Sequence, residues 1–254
     1  FIIDVRISGS EYTDGGLNLN DMIYVAKQLE KAGVDFLHVS GGTTIARGSS
    51  IPAPGTPMGS HAATAAEIKK YVSIPVATVG RITEPWIAEE LIANGKADIC
   101  MIGRANLCDP EFANKVAAEK ADDIRPCIGC LRCLNGIMFG KRVACTVNPS
   151  FELENEDTLA PAAEKKNVLV IGSGPAGMEA AFVAAKRGHH VVLCEKDAEL
   201  GGLMRIAAVP IAKQDLTRLI QYMARRLEGA GVEVRLNCAV DQTMLEGEFK
   251  GWEV

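Results

Sequence analysis

The sequence predicts an α/β protein made of two parallel-sheet units in succession. Three observations predict it. Short β-branched runs alternate with helical patterns over residues 1–120, the alternation resumes after residue 166, and a proline-bearing acidic stretch lies between. A βαβ alternation implies parallel strands, because each helix carries the chain back to the edge where the next strand starts.

In the first unit the expected strands are Ile2–Ile7, Phe36–Val39, Val76–Val79 and Ile99–Ile102, with helices at Leu19–Ala32, Ala62–Val72 and Glu84–Asn94. Met22, Val25, Ala26 and Leu29 mark one helical face, and Gly33 suits the position after the helix end. Four strands fit either an open doubly wound sheet or half of an eight-stranded barrel. Asn148-Pro149, the acid-rich run Glu152–Asp157 and Pro161–Lys166 read as a boundary. The second unit then offers strand Asn167–Ile171, helix Pro175–Arg187, strand His190–Cys194, helix Lys213–Gly229 and strand Val232–Leu236. Phe1–Ser8 opens directly as a buried strand, and Glu246–Val254 ends without a capping element. The sequence therefore reads as a piece of a longer protein.

Composition narrows the function. With 48% hydrophobic and 23% charged residues the chain is expected to be a soluble globular protein. The net charge of −5, with no Lys/Arg block, argues against nucleic acid or anionic membrane as the main partner. No apolar run reaches the roughly 20 residues of a membrane span, and no signal peptide is evident, so a cytoplasmic location is expected. G-x-S-x-G, H-E-x-x-H and P-loop patterns do not occur, which leaves hydrolase and NTPase chemistry without support.

Three groups of residues carry chemistry. Val168–Ile171 runs into Gly172-Ser173-Gly174-Pro175-Ala176-Gly177, a G-x-G-x-x-G turn between strand and helix, and Glu195 ends the next strand. Gly172 allows the tight turn, Gly174 lets backbone approach a pyrophosphate, Gly177 lets helix and sheet pack, and Glu195 suits a ribose hydroxyl. The alternative is a purely structural glycine turn. Cys127-Ile128-Gly129-Cys130-Leu131-Arg132-Cys133 is followed after eleven residues by Cys145. Three closely spaced thiolates and one distant one suit a [4Fe–4S] cluster, with zinc, disulfides and free thiols as alternatives. Gly129 and Gly136 would relieve crowding there. The other cysteines, Cys100, Cys108, Cys194 and Cys238, read as small buried hydrophobes. Finally, Val79-Gly80-Arg81 and Ile102-Gly103-Arg104 place Gly-Arg pairs at two strand ends, with Arg6 ending the opening strand. Backbone N–H groups and guanidinium forks at strand ends suit a phosphate-bearing cofactor, against the alternative of surface ion pairs. Of the four histidines, His38 reads as a packed core side chain and His189 and His190 as structural, while His61 stays ambiguous.

Together these residues resemble the 2,4-dienoyl-CoA reductase and enoate reductase family, iron–sulfur flavoenzymes related to old yellow enzyme and trimethylamine dehydrogenase. Val5-Arg6-Ile7-Ser8 with Asp14-Gly15-Gly16, both Gly-Arg pairs, the cysteine string through Cys145-Thr146-Val147-Asn148-Pro149, and the glycine turn with Leu200-Gly201-Gly202 carry the resemblance. It implies the C-terminal half of an FMN-binding (β/α)₈ TIM barrel at 1–120, a cluster segment at 121–150, a linker at 151–166, and the start of a Rossmann-like FAD domain at 167–254. Arg6, Gly80, Arg81, Gly103 and Arg104 would hold FMN. Gly172, Gly174, Ala176, Gly177, Glu195 and Gly202 would hold FAD, and Cys127, Cys130, Cys133 and Cys145 the cluster. The implied activity is NAD(P)H-dependent reduction of an activated C=C bond in a small unsaturated substrate, with electrons passing from FAD through the cluster to FMN. A trimethylamine-type amine dehydrogenase and an inactive cluster-binding fragment are the alternatives, and a homo-oligomer is open. The chain departs from the family after the second strand, where Val39–Ile45 has no histidine and Thr44 stands near its expected place. The family's tyrosine proton donor would precede residue 1.

Overall fold

The computed structural model describes residues 1–153 and 159–254, so residues 154–157 of the expected acidic stretch lie outside the described residues. Two parallel sheets form. The first contains β1 (Asp4–Ser8), β2 (Phe36–Ser40), β3 (Val76–Thr78) and β4 (Ile99–Cys100), hydrogen-bonded in the order β1-β2-β3-β4. Each strand is laid beside the one before it, so every crossover steps in the same direction. Register places Arg6 beside His38 and His38 beside Ala77. The alternate positions, Ile7, Leu37, Val39 and Val76, pack against Met22, Ala26, Ala65 and Ile68 of the crossover helices Leu19–Lys31 and Ala62–Lys69. Because strand side chains alternate, this apolar set covers one face, while Arg6 and His38 belong to the other.

The first helix begins where the sequence signals it. The Asn18 side chain accepts from the backbone N–H groups of Asn20 and Asp21, and Asp21 accepts in return from the Asn18 N–H, a reciprocal cap.

The second sheet contains β5 (Asn167–Ile171), β6 (His190–Cys194) and β7 (Glu233–Arg235) in that order. Beyond β5, on the side away from β6, Glu253 pairs in parallel with Val168. The chain therefore leaves β5 in one direction and returns on its other side. Such a reversal opens a crevice at the carboxyl end of the strand where it occurs. Val191 and Leu193 meet the helices Pro175–Lys186 and Asp215–Gly229 on one face, while Val192 and Cys194 meet Phe249 on the other.

Short elements that the sequence patterns do not predict also occur, among them helices Arg104–Cys108, Phe112–Ala117 and Arg132–Met138. Each is about two turns or less, too short to display a 3.6-residue period.

Candidate functional site

At the carboxyl end of the first sheet, a cavity of about 200 Å³ is lined by Arg6, His61, Gly80, Arg81, Gly103 and Arg104, with Leu134 at its edge. Gly80 has φ +124°, and a Cβ there would lie 2.4 Å from Ser60 Oγ, so glycine is required on both counts. At Gly103 a Cβ would meet nothing within 4 Å, which leaves room above the backbone. Arg6 donates from Nη2 to Ser40 Oγ at 2.9 Å. Among the described residues, the buried atoms Ser60 Oγ, Thr78 Oγ1, Arg104 Nη1 and His38 Nε2 have no hydrogen-bond partner, nor does either ring nitrogen of His61. Of these, His61 and Arg104 line the cavity, and because buried polar atoms are normally paired, these two call for a polar ligand there. A phosphate-bearing flavin fits that requirement. Burial, reinforced by Arg6, holds the His61 imidazole below its ordinary pKa and therefore neutral.

His61 is the residue that sequence reading left undecided; it is 3% exposed and faces the same cavity as the expected FMN residues. Arg81 departs from its expected role. Its Nη1 donates to the Thr56 carbonyl at 2.6 Å and its Nη2 is paired with Asp215, at the start of the helix that packs on the second sheet. The fork expected to clamp a phosphate instead ties the two sheet units together, with Nε left unpaired. Arg218 extends the tie, bridging Asp215 and Glu84.

The cysteine segment lies against this cavity. Cys127, Cys130, Cys133 and Cys145 are all free thiols, and Cys130 Sγ lies 3.2 Å from Thr146 Oγ1. Cys127 and Cys133 are each pushed up by burial and pulled back by a neighbouring amide and by the Arg104 charge; both also feel Cys130 and Cys145. The four sulfurs thus share one electrostatic neighbourhood. Cys145 is drawn down to about 6, chiefly by a hydrogen bond from Cys108, against burial and with help from the Val147 and Asn148 amides. Among the described residues, no three Cys, His, Asp or Glu side chains converge tightly enough for a single metal ion. A tetrahedral zinc with bonds of about 2.3 Å would need sulfurs roughly 3.8 Å apart. A four-iron cluster, whose thiolates bind separate irons, is less demanding, and the all-thiol donor set fits it.

Two backbone features shape the segment. Leu131, just before the Arg132–Met138 helix, has φ +61°, a left-handed conformation that is costly for a branched side chain. Gly136 packs where a Cβ would stand 2.7 Å from the Arg142 carbonyl, so the crowding it relieves is backbone against backbone.

In the second unit, Gly172 (φ +97°) turns the chain out of β5, and a Cβ on Gly177 would lie 2.0 Å from the Gly172 carbonyl oxygen. Beside the turn is a cavity of about 560 Å³ lined by Gly172, Gly174, Glu195, Gly202 and Arg205. No atom would meet a Cβ on Gly172 or Gly174 within 4 Å, so the turn presents an open cradle to that space. Gly174 stands immediately before the Pro175–Lys186 helix, whose free N–H groups favour an anion. Glu195 is 5% exposed and already engaged: Oε2 accepts from Ser173 N–H at 2.8 Å and Ser173 Oγ at 2.6 Å, and Oε1 from Asp197 N–H at 3.0 Å. The Ser173 hydroxyl is the main cause of its pKa falling to about 2. Glu195 therefore braces the turn as well as facing the cavity.

Residues 1–123 match the NADH:flavin oxidoreductase / NADH oxidase family, and residues 167–247 match the FAD dependent oxidoreductase family. An NADH oxidase from Thermoanaerobacter brockii is 41% identical over 94% of this chain, and a bilirubin reductase from Mediterraneibacter gnavus is 42% identical over 92%. The chain belongs to the NADH:flavin oxidoreductase family. The chain spans 37% of the length of both relatives. A 2-naphthoyl-CoA reductase complex superposes with a TM-score of 0.90 at 29% identity, covering 96% of this chain and 37% of that one. Histamine dehydrogenase from Rhizobium sp. 4-9 gives 0.88 at 25% identity, over 99% and 37%.

Proposed function

We propose that the whole protein is an NAD(P)H-dependent flavin and iron–sulfur oxidoreductase that reduces an activated C=C bond in a small unsaturated molecule. In this reading residues 1–120 are the second half of a (β/α)₈ barrel, 121–150 the cluster segment, 151–166 a linker and 167–254 the start of the FAD domain. The sequential order of the first sheet supports the barrel half, and the reversal at β5 supports the dinucleotide fold. Bound FMN, FAD and [4Fe–4S] supply hydride transfer at the flavins and single-electron transfer between them, in the order NAD(P)H, FAD, cluster, FMN, substrate.

The observation that carries this reading is the position of Arg104. It lines the first cavity, and its charge also acts on Cys127 and Cys133. One guanidinium thus borders a candidate flavin site and a candidate cluster site, so the two would lie next to each other. Leu134, next to Cys133, walls the same cavity. Arg6, Gly80, Gly103 and Arg104 would hold FMN, with His61 offering a neutral imidazole beside it. Gly172, Gly174, Ala176, Gly177, Glu195 and Gly202 would shape the FAD site, and Cys127, Cys130, Cys133 and Cys145 would ligate the cluster. Arg81 is left out of the phosphate set because its fork is tied to Asp215.

Relatives named as reductases favour alkene reduction over amine oxidation. The bilirubin and cinnamate reductases are 42% and 36% identical to this chain, whereas an N,N-dimethylglycine/sarcosine dehydrogenase is 31% identical. The test is anaerobic purification of the full-length protein with iron, sulfide, FMN and FAD assayed per chain. NADH oxidation is then followed with cinnamate, an enoyl thioester, bilirubin or a secondary amine. About four irons, one of each flavin and turnover with an alkene are expected. Zinc in place of iron, or turnover with the amine alone, would overturn the reading.

A further inference from the structure

We propose that the chain carries a third small-molecule site, for a phosphate monoester with an apolar body, in a cavity where the two long helices of the second unit meet the segment before the cysteine string. The proposal goes beyond the cofactor reading above and does not depend on it.

The cavity measures about 590 Å³ and shares no lining residue with either candidate flavin cavity. Phe182, Val183 and Lys186 line it from the Pro175–Lys186 helix, and Tyr222, Arg225 and Arg226 from the Asp215–Gly229 helix. Spacings of three and four residues put each set on one helix face. Lys115 and Arg125 border the space from the other side.

Two of these cations are already spent. Lys115 is paired with Asp109 at 2.6 Å, and Arg226 is paired with Glu179 while its guanidinium lies 3.6 Å from the Phe182 ring centroid. Arg125, Lys186 and Arg225 have no carboxylate partner among the described residues; Arg225 donates from Nε and Nη2 to the Asp122 carbonyl at 3.1 and 2.7 Å. Arg125 is half-buried, and its Nη1 serves two neutral acceptors, the Cys108 carbonyl at 3.3 Å and Asn148 Oδ1 at 2.6 Å. Its Nε is buried without a partner, and its Nη2 donates to nothing among the described residues. The side-on edge of the fork, which can take two oxygens of one oxyanion, is therefore free. A half-buried cation among neutral acceptors lacks the counter-charge that normally accompanies it.

Tyr222 adds an independent sign. It is 6% exposed and lies between two guanidiniums, with the Arg125 and Arg226 carbons 5.9 and 5.4 Å from its ring centroid, yet its hydroxyl has no hydrogen-bond partner among the described residues. A buried tyrosine hydroxyl normally finds one. Asp122 and Asp123 also border the cavity, but both are exposed, and their backbone carbonyls rather than their carboxylates receive Arg225 and Lys115. Exposed charges are screened by water and salt, so they oppose an anion only weakly. One guanidinium edge would saturate a carboxylate. A phosphate monoester brings about two negative charges and three acceptor oxygens, enough for Arg125, the Tyr222 hydroxyl and the outer cations Arg225 and Lys186 together. Phe182 and Val183 supply apolar surface for the body of the ester. A ligand held this way touches both sides of the cavity and so stabilises their docking.

The experiment is isothermal titration calorimetry of phenyl phosphate into the flavin-loaded full-length protein, for wild type, Tyr222→Phe and Lys186→Glu. Benzoate and inorganic phosphate are titrated into wild type for comparison. Tyr222→Phe keeps the ring and Lys186 is exposed, so both variants should retain wild-type flavin content. The expected result is one phenyl phosphate bound per chain, about tenfold weaker binding in each variant, and similarly weaker binding of benzoate and of inorganic phosphate. Phenyl phosphate should also raise the melting temperature of wild type more than that of either variant. Affinity unchanged in both variants would place the anion elsewhere on the protein and overturn the proposal, as would the absence of binding at millimolar ligand. Benzoate binding as tightly as phenyl phosphate would overturn the phosphate assignment, and inorganic phosphate binding as tightly would overturn the role of the apolar wall.

Discussion

In the second sheet, Val191 and Leu193 are buried under two helices and Val192 and Cys194 under Phe249, so both faces of β6 are covered from within the chain. In the first sheet, Leu37 and Val39 are buried under helices, but the opposite row runs through Arg6, His38 and Ala77. Among the described residues, the buried polar atoms without partners include His38 Nε2 on that row and, lining the cavity at the sheet's carboxyl end, both ring nitrogens of His61 and Arg104 Nη1. A parallel sheet normally hides both faces behind apolar cover. The contrast teaches that the second sheet is stabilised by its own contacts, whereas the inner face of the first is built to meet something polar.

The largest expected effect tests whether the two units are one body. Arg81 and Asp215 have side-chain exposures of 7% and 10%, and their pairing joins the first unit to the second. Asp215→Ala would leave a buried guanidinium facing an empty partner site, at a cost of about 3–5 kcal/mol. Replacing both residues with leucine should recover most of that loss, since a well-packed apolar pair avoids the desolvation penalty. Urea unfolding of wild type, the single and the double variant measures both numbers. Equal stability of all three would show that the tie contributes nothing and that the sheets fold as independent units.

A smaller effect sharpens the contrast between a polar group that is satisfied and one that is not. Glu195 accepts three hydrogen bonds, and its pKa of about 2 lies well below the ordinary 4.5. A depressed folded-state pKa stabilises the fold above the unfolded value, and that contribution is lost as pH falls from about 4.5 through about 2. Glu195→Gln should cost about 1–3 kcal/mol at neutral pH and flatten stability across that acidic window. His61 should behave in the opposite way. His61→Leu removes unpaired buried nitrogens, so stability at neutral pH should hold or rise by about 1 kcal/mol while FMN retention falls. Thermal melting and flavin content on the same samples separate the cases. A His61→Leu variant that loses stability but keeps its FMN would mean that the imbalance between the two sheets is structural.

The long elements and the chemistry-bearing strings were legible because each leaves a local pattern. β5 and β6 fall where their apolar runs lie, and Gly177 is glycine for the close packing its motif implies. What was not legible depends on long-range contacts. Arg81 sits in a Gly-Arg pair like that of Arg104, and nothing local says that Asp215, 134 residues away, takes its fork. His61 gives no sign in its neighbours that its ring will be buried among unpaired polar atoms. Separation in sequence hides such roles even when every residue type is visible.

The smallest effect concerns the place where the two regions adjoin. Leu131 holds φ +61° between Cys130 and the helix that carries Cys133, a conformation that asparagine or glycine adopts at much lower cost. Leu131 is half-buried, so little packing would be lost on shortening it. Leu131→Asn should therefore stabilise the chain by about 1 kcal/mol, read as a higher urea midpoint with an unchanged slope. A loss of stability would show instead that the leucine side chain holds the cysteine segment against the flavin cavity, and that the strain persists because this contact outweighs it.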